Sequence, residues 1–293
     1  MIESKGYEYY RPGSWAELAA ILCKTEERVL FLAGGTDLFV DLRSGKKSCA
    51  HLVDLKGLKE LKGIEEAAGE HGERELRIGA LTAIHQLETY PLLQEKAGAL
   101  PEAACQLGSR QVRNRATLGG NLANASPTAD TAAPLLALDA VLELWSPAGE
   151  RRIPVEELWQ KAGKTFLAPD EIIRQIIIPL VPRQASAFMK LGPRQAMDIA
   201  IISAAASLSL EEGRISQVRI ALGGAGEKPL RMKAAEEYLL GKEGTAEHFA
   251  AAGRLAARES SPRSSRRASR EYRLATIPVL TERVLLQALS RLS

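Results

Sequence analysis

Two segments of the chain combine adjacent glycines with small polar residues. The first covers residues 31–38, Phe-Leu-Ala-Gly-Gly-Thr-Asp-Leu, and the second covers residues 117–130, which begin Thr-Leu-Gly-Gly-Asn. Because glycine has no Cβ, the backbone N–H groups of such segments can approach a bulky anion closely. Together they predict two phosphate-binding loops that hold a diphosphate from two sides.

The first segment must be positioned by the elements around it. Residues 29–33 predict a strand and residues 38–43 a short helix, an arrangement that directs free helix N–H groups at an anion. Ser14 and Glu17 form the capping-box pattern of a helix that runs to about residue 24, and residues 51–55 predict another strand. Residues 1–56 are therefore expected to form a small α/β unit.

The second segment lies in a larger predicted α/β unit, residues 57–182. Ser126 as the N-cap and Pro127 at the first helical position predict a helix that continues through residues 132–138. The second glycine segment is thus also expected to lead into a helix N-terminus. The other predicted elements of this unit are strands 75–80, 141–145 and 171–178 and helices 84–88 and 92–107.

A third unit, residues 183–293, begins where the composition shifts to alanine, serine and arginine. It is expected to be a small antiparallel sheet backed by helices, and Pro278 is expected to kink or divide the last helix. The predicted strands are residues 199–210 and 217–222, and the predicted helices are 231–240, 247–259 and 270–292.

Composition and charge exclude several classes of function. The 293 residues carry a formal net charge of +3 and 5% aromatic residues, which argues against a nucleic-acid binder. No apolar segment has the length of a signal-peptide core or a membrane span, so a cytoplasmic protein without membrane contact is expected. The three cysteines cannot supply the four thiolates of an iron–sulfur cluster, and the four histidines are not paired at metal-ligand spacing. No metal site is expected on this chain.

A basic cluster lies within residues 260–273 and includes Arg263, Arg266, Arg267 and Arg270. Such a cluster is usually a solvated loop, so we expect a surface segment or a subunit contact and assign it no catalytic role.

The two glycine segments and four further segments resemble the FAD-binding subunit of molybdenum hydroxylases, the medium subunit of xanthine dehydrogenase and carbon monoxide dehydrogenase type enzymes. The resemblance covers essentially the whole chain and is strongest to the separate FAD subunit of bacterial xanthine dehydrogenases. It is carried by residues 32–37, 76–80, 111–114, 117–130, 197–200 and 262–274.

The resemblance implies an α+β protein. Its first part would be a two-subdomain α/β FAD-binding fold of the PCMH type, similar to vanillyl-alcohol oxidase, and its last part a C-terminal domain of small antiparallel sheet plus helices. Asp130 is implied to accept a hydrogen bond from a cofactor hydroxyl, and Lys190 to lie near the flavin ring, where a lysine could tune its redox potential. No catalytic residue is implied. The implied FAD-binding residues are Phe31, Leu32, Ala33, Gly34, Gly35, Thr36, Asp37, Leu38, Leu107, Gly108, Thr117, Leu118, Gly119, Gly120, Asn121, Asp130, Ile173 and Lys190.

The implied function is electron transfer within a larger enzyme. Such a chain would accept electrons from [2Fe–2S] clusters on an iron–sulfur subunit and pass them to NAD+ or another acceptor. Molybdopterin on a third subunit would oxidise the substrate, for which xanthine is the leading candidate by resemblance alone. The implied assembly is a heterotrimer or its dimer.

Two other functions remain open at this level. A self-sufficient FAD-dependent oxidoreductase would turn over a small substrate alone, but the C-terminal unit offers no candidate acid–base pair for it. A flavin-free assembly module would have no need of two glycine-rich loops.

Overall fold

The computed structural model describes residues 6–25, 29–69, 72–194 and 196–292. The strands within these ranges form three main sheets and a small hairpin. Successive sheets use successive parts of the chain, so three units follow one another from the N-terminus.

The first unit is a three-stranded parallel sheet with two helices. Its strand order is β1-β3-β2, and the core beside it includes Leu18 and Val53, which are fully buried. Ser14 caps the first helix, since its Oγ accepts a hydrogen bond from the Glu17 N–H at 3.2 Å, as the sequence pattern predicts. The elements are β1 (Glu8–Tyr10), α1 (Trp15–Lys24), β2 (Val29–Leu32), α2 (Leu38–Arg43) and β3 (His51–Asp54), followed by 3₁₀ turns at Leu55–Gly57 and Lys59–Leu61.

The second unit is a five-stranded antiparallel sheet with six short helices. Its strand order is β4-β5-β10-β6-β7, so the strand that arrives last in the chain, β10, occupies the centre of the sheet. The strands are β4 (Ile64–Ala68), β5 (Arg74–Gly79), β6 (Val141–Ser146), β7 (Gly149–Pro154) and β10 (Ile172–Pro179), with the hairpin β8 (Trp159–Lys161) and β9 (Lys164–Thr165). The helices are α3 (Ile84–Thr89), α4 (Pro91–Lys96), α5 (Ala99–Cys105), α6 (Arg110–Arg113), α7 (Leu118–Ala123) and α8 (Ala132–Ala137), with a 3₁₀ turn at Val155–Glu157.

The third unit is a four-stranded antiparallel sheet covered by helices, as expected. Its strand order follows the chain. Ala205 and Ala221 of this sheet share one buried core with the helices of the second unit, because their small side chains let those helices lie close to the strands. The elements are β11 (Gln184–Leu191), β12 (Ile202–Glu211), β13 (Arg214–Gly223), β14 (Leu230–Arg231), α9 (Lys233–Leu239), α10 (Ala246–Glu259) and α11 (Arg270–Leu289).

Two helix predictions were wrong, and part of a third was. The predicted helix 92–107 is two helices, α4 and α5, because Pro101 has no N–H to bond the carbonyl of Ala97, where the chain turns. The helix expected to start at Ser126 starts at Ala132, and the Ser126 hydroxyl instead accepts from the Thr128 N–H in a turn. Of the two effects expected of Pro278, division of the last helix does not occur, since the helix is continuous over 20 residues, and a kink stays a prediction.

Candidate functional site

The first glycine loop joins β2 to α2 and carries a row of unpartnered backbone donors. Gly35 has a φ of +76°, a left-handed conformation that glycine adopts without strain. Among the hydrogen bonds of the described residues, none uses the N–H groups of the five successive residues from Gly34 to Leu38. A row of free N–H groups around a left-handed residue forms a concave anion-binding site.

Gly34 has a packing role in the same loop. A Cβ placed on Gly34 would lie 2.0 Å from the carbonyl oxygen of Arg115, in the second unit. Only glycine allows this contact, so Gly34 lets the first loop pack directly against the segment that leads into the second loop.

The second glycine loop is organised differently, because its glycines lie inside the first turn of α7. Thr117 is the N-cap, and its Oγ1 accepts from the Gly120 N–H at 3.2 Å. The N–H groups of Leu118 and Gly119 donate to the carbonyls of Thr82 and Ala80 at 3.1 and 2.8 Å, and that of Asn121 donates to the Thr117 carbonyl at 2.9 Å. The expected second row of free N–H groups is therefore absent from residues 118–121, whose amides the fold already uses. Thr117, Gly120 and Asn121 face the cleft instead.

A cleft of about 1120 Å³, counting the open space at its mouth, lies between the two loops. Of the predicted site residues, those that line it are Phe31, Ala33, Gly34, Gly35, Thr36, Asp37, Leu38, Leu107, Thr117, Gly119, Gly120, Asn121 and Ile173.

Five predicted residues lie outside the lining. Leu32 and Leu118 are buried in the core behind the loops, at 4% and 0% exposure. Gly108 adopts a left-handed turn with a φ of +50° next to Leu107. The remaining two, Asp130 and Lys190, belong to a separate buried cluster.

The sequence prediction missed three polar residues of the cleft, Lys47, Asn124 and Glu171. Lys47 forms an ion pair with Asp41 at 3.2 Å, and Glu171 accepts two hydrogen bonds from Arg151 at 2.7 and 2.8 Å. Burial acts to raise the pKa of Glu171, but Arg151 and the Ala168 N–H outweigh it and the pKa is lowered. Lys47 follows a turn, Asn124 is the C-cap of α7 and Glu171 directly precedes β10, so no local sequence signal distinguishes them as cleft residues.

The buried cluster joins Lys190 on β11 to Asp130 and Asp198. Lys190 Nζ lies 3.0 Å from Asp130 Oδ2 and 3.3 Å from Asp198 Oδ1, and the lysine side chain is 3% exposed. It also donates to the carbonyls of Gln106 and Asp198 at 3.0 and 3.1 Å. Its three N–H donors are thus engaged by protein oxygens, so Lys190 serves as an internal counter-ion in this structure.

Asp130 keeps one buried oxygen without a partner. Asp130 Oδ1 and Asp198 Oδ2 make no hydrogen bond with the described residues. Burial raises the pKa of Asp130 to about 6, against the opposing effect of Lys190, and Asp198 adds to the rise. Gln106, which accepts from Lys190, directly precedes the cleft residue Leu107, so one hydrogen bond and one peptide link connect the cluster to the cleft lining.

Comparison with known proteins identifies the family. The family model described as the FAD binding domain in molybdopterin dehydrogenase matches residues 5–181. The chain belongs to this family of FAD-binding subunits. The model described as the CO dehydrogenase flavoprotein C-terminal domain matches residues 187–288 of the same subunit.

Curated relatives and solved structures agree with this assignment over nearly the whole FAD-binding subunit. It is 37% identical to the putative xanthine dehydrogenase FAD-binding subunit of Escherichia coli strain K12, over 96% of each chain. It is 30% identical to the carbon monoxide dehydrogenase medium chain of Hydrogenophaga pseudoflava, over 97% of this chain and 98% of that one.

The structural match is equally complete. A carbon monoxide dehydrogenase structure from Hydrogenophaga pseudoflava, which lacks the Mo-pyranopterin moiety of the molybdenum cofactor, matches with a TM-score of 0.92 and 31% identity, over 99% of each chain. Quinoline 2-oxidoreductase from Pseudomonas putida 86 matches with a TM-score of 0.90 and 30% identity, also over 99% of each. The α+β FAD-binding fold with its C-terminal domain is therefore confirmed, and the chain is an FAD-dependent oxidoreductase subunit.

The donors of the cleft fit FAD. A diphosphate is well bound by neutral N–H groups, and the row from Gly34 to Leu38 provides them without a partner inside the protein. Across the described ranges, no helix is both long and apolar enough to cross a bilayer.

Proposed function

We propose that this chain carries FAD in the cleft between its two glycine loops and transfers electrons within a xanthine dehydrogenase-like molybdenum hydroxylase. It accepts them from [2Fe–2S] clusters on an iron–sulfur subunit and passes them to NAD+. The observation that carries the proposal is the row of unpartnered N–H groups from Gly34 to Leu38. Such donors destabilise a folded protein unless water or a ligand satisfies them, and a diphosphate does so.

The two loops contribute different groups to FAD binding. The N–H groups of the first loop bind the diphosphate, and Gly35 keeps them convergent through its left-handed backbone. The hydroxyl of Thr117 and the side-chain amide of Asn121 supply directional hydrogen bonds from the second loop. The side chain of Asn121 is itself fixed, since its Oδ1 accepts from the Thr131 hydroxyl at 2.7 Å.

The apolar lining holds a planar ring and excludes water. Leu81, Leu107 and Ile173 line the cleft and are 5–7% exposed. An apolar wall with few polar groups is typical of sites that bind large cofactors. The chemistry that FAD supplies when bound is the exchange between one-electron and two-electron transfer, which is needed between iron–sulfur clusters and NAD+.

The remaining subunits are proposed from the relatives. The matched proteins are a xanthine dehydrogenase FAD-binding subunit and a carbon monoxide dehydrogenase medium chain, names that describe parts of larger enzymes. We place this chain in the same position, in a heterotrimer or its dimer with an iron–sulfur subunit and a molybdopterin subunit. This assembly acts in the cytoplasm.

The visible spectrum of the gently purified chain tests the proposal. Flavin absorption that NADH bleaches in the absence of oxygen would establish a bound FAD that exchanges hydride with nicotinamide. Flavin that NADH does not bleach would contradict NAD+ as the acceptor for this chain. A colourless protein that FAD cannot reconstitute would contradict FAD binding itself.

A further inference from the structure

The net positive charge of the chain comes from one short segment, residues 263–273. Five arginines and one glutamate in this segment amount to a formal charge of +4, whereas the whole chain carries +3. The rest of the chain is therefore at −1, so this segment is a local basic surface on a nearly neutral protein.

Three of these arginines have no counter-ion among the described residues, and the fourth, Arg270, has only the neighbouring exposed carboxylate of Glu271. Arg263, Arg266, Arg267 and Arg270 are exposed, and none of them takes part in a described ion pair or side-chain hydrogen bond. Unpaired like charges at close range repel one another and oppose folding, so their clustering is not explained by stability.

The backbone that presents these arginines is ordered by its own hydrogen bonds. The hydroxyl of Ser265 accepts from the Arg267 N–H at 3.3 Å, and the hydroxyl of Ser264 accepts from the Arg270 N–H at 2.9 Å. Ser269 then caps α11 through the Tyr272 N–H. The arginines therefore project from a defined loop.

Arg273 fastens the loop to the rest of the third unit. Its guanidinium is buried, at 3% exposure, and donates to the Ile201 carbonyl and to Ser265 Oγ. Burial lowers its pKa, and the charges of Arg267 and Arg263 lower it further, so these side chains lie close together. No carboxylate pairs with Arg273 in the described structure.

Exposed apolar side chains flank the basic loop. Tyr272 is 49% exposed, and Met197 and Ile199, which lie a few residues before the Arg273 contact at Ile201, are 63% and 52% exposed. Protein interfaces are enriched in tyrosine, methionine and arginine. A nucleic-acid site would instead require a basic surface that extends beyond one segment, and the net charge of −1 over the rest of the chain gives no support for one.

A series of contacts connects the apolar residues beside this surface to the lining of the cofactor cleft. Asp198, between Met197 and Ile199, is the ion-pair partner of Lys190, and Lys190 bonds the carbonyl of Gln106 next to the cleft residue Leu107. A protein docked on the basic loop would therefore contact a surface that is connected to the FAD site through these residues.

We propose that the arginine loop, residues 263–270, docks a carboxylate-rich face of the electron-donating iron–sulfur subunit, with Met197, Ile199 and Tyr272 as the apolar part of the contact. The inference rests on the proposed function, because it names the surface through which electrons reach this chain.

Charge reversal of two arginines tests the docking surface. The tagged chain is expressed in its source cells in place of the native one, as wild type, as Arg266→Glu with Arg267→Glu, and as Arg254→Glu with Arg258→Glu. The last pair makes the same charge change at two exposed arginines of α10, outside the loop. Iron per FAD in the purified complex is measured at low salt and at about 0.5 M salt.

The proposal expects the loop variant to lose iron per FAD by about tenfold or more, because two attractive contacts become repulsive. The α10 variant should match the wild type, and the wild-type complex should weaken at high salt. FAD content and anaerobic bleaching by NADH should be unchanged in the loop variant. Its melting temperature should not fall, since neither replaced side chain has a partner and a glutamate at 267 can pair with Arg273.

Three results would overturn the docking surface. One is a loop variant with the iron content of the wild type, and another is an equal loss in the α10 variant. The third is co-purifying nucleic acid that the loop variant loses while its subunit complex stays intact. A wild-type chain that retains FAD without iron would contradict the proposed partner itself, and a chain without FAD would contradict the proposed function, so the two failures are distinguishable.

Discussion

Gly35 and Gly119 meet different demands although each belongs to a Gly-Gly pair. Gly35 has a left-handed backbone next to N–H groups that no protein acceptor uses. Gly119 packs against Ala80, where a Cβ would lie 2.6 Å from the alanine Cβ, and its own N–H is bonded. We therefore assign diphosphate binding to the first loop. The glycines of the second loop allow close packing within the second unit.

Gly35→Ala should weaken FAD binding by about tenfold or more. A left-handed alanine costs about 1–2 kcal/mol, and its Cβ would meet the Phe39 ring at 2.8 Å, so the N–H groups would no longer converge. Gly45→Ala is the matched control, because Gly45 has a φ of +71° and open space around it. Both variants should lose stability in urea through the left-handed backbone, Gly35→Ala more because of its contact with Phe39, and only Gly35→Ala should lose FAD affinity in a titration. Equal affinities would contradict the assignment.

Asp130 should make the protein less stable as the pH rises. Its pKa is raised to about 6 in the folded protein, so the folded state favours the protonated carboxyl. The resulting contribution to the free energy of unfolding is full below about pH 4 and is lost as the pH rises through 6. Relative to Asp130→Asn, the wild-type free energy of unfolding should fall by about 2 kcal/mol between pH 4 and 7. Urea unfolding at several pH values measures this. Parallel curves for wild type and Asp130→Asn would contradict the prediction.

At the scale of elements, α7 depends on its cap. The helix has six residues, too few to be stable alone, and Thr117 is buried at its N-terminus. Thr117 also lies opposite the first loop in the cleft, so the cap links helix formation to the cofactor site.

Thr117→Ala should destabilise the protein by about 1–2 kcal/mol, since the Gly120 N–H loses its acceptor. FAD affinity should fall as well, because Asn121 is carried by the same helix. Thr117→Ser keeps the hydroxyl and should recover most of both quantities, measured by urea unfolding and FAD titration. If the serine variant behaves like the alanine variant, the cap is not the cause.

At the scale of the whole molecule, Glu102 connects α5 to two elements of the third unit. Its Oε2 accepts from the Phe188 N–H of β11 at 2.7 Å, and its Oε1 accepts from Gln287 of α11 at 3.0 Å and from Arg291. The FAD cleft lies mainly in the first two units and the arginine loop in the third, so this contact helps to hold the two sites in a fixed relation.

Glu102→Ala should lower stability by about 1–3 kcal/mol, because the Phe188 N–H is left without its acceptor. It should also separate the unfolding of the third unit from that of the first two. Trp15, Trp145 and Trp159, the three tryptophans, all precede residue 182, so fluorescence follows the first two units and circular dichroism follows the whole chain. The two signals should coincide for the wild type and for Glu102→Gln and diverge for Glu102→Ala, and coincident curves in all three would contradict this role.

The sequence determined the local elements and the family, and it did so for physical reasons that act over short distances. Apolar periodicity, the Ser14 cap and the glycines between β2 and α2 are local features, so half of the described strands and most of the described helices were predicted within a few residues. The domain boundaries near residues 56 and 182 and the FAD contacts stay predictions.

Only the tertiary structure decided which groups remain free to bind. The amides of residues 118 and 119 are used by the carbonyls of Thr82 and Ala80, which lie in another part of the chain. Lys190 is held by Asp130 and Asp198, and Arg273 is tied to Ile201 while its neighbours stay unpaired. Packing between distant segments brings these partners together, so the spacing of residues along the sequence does not predict the contacts.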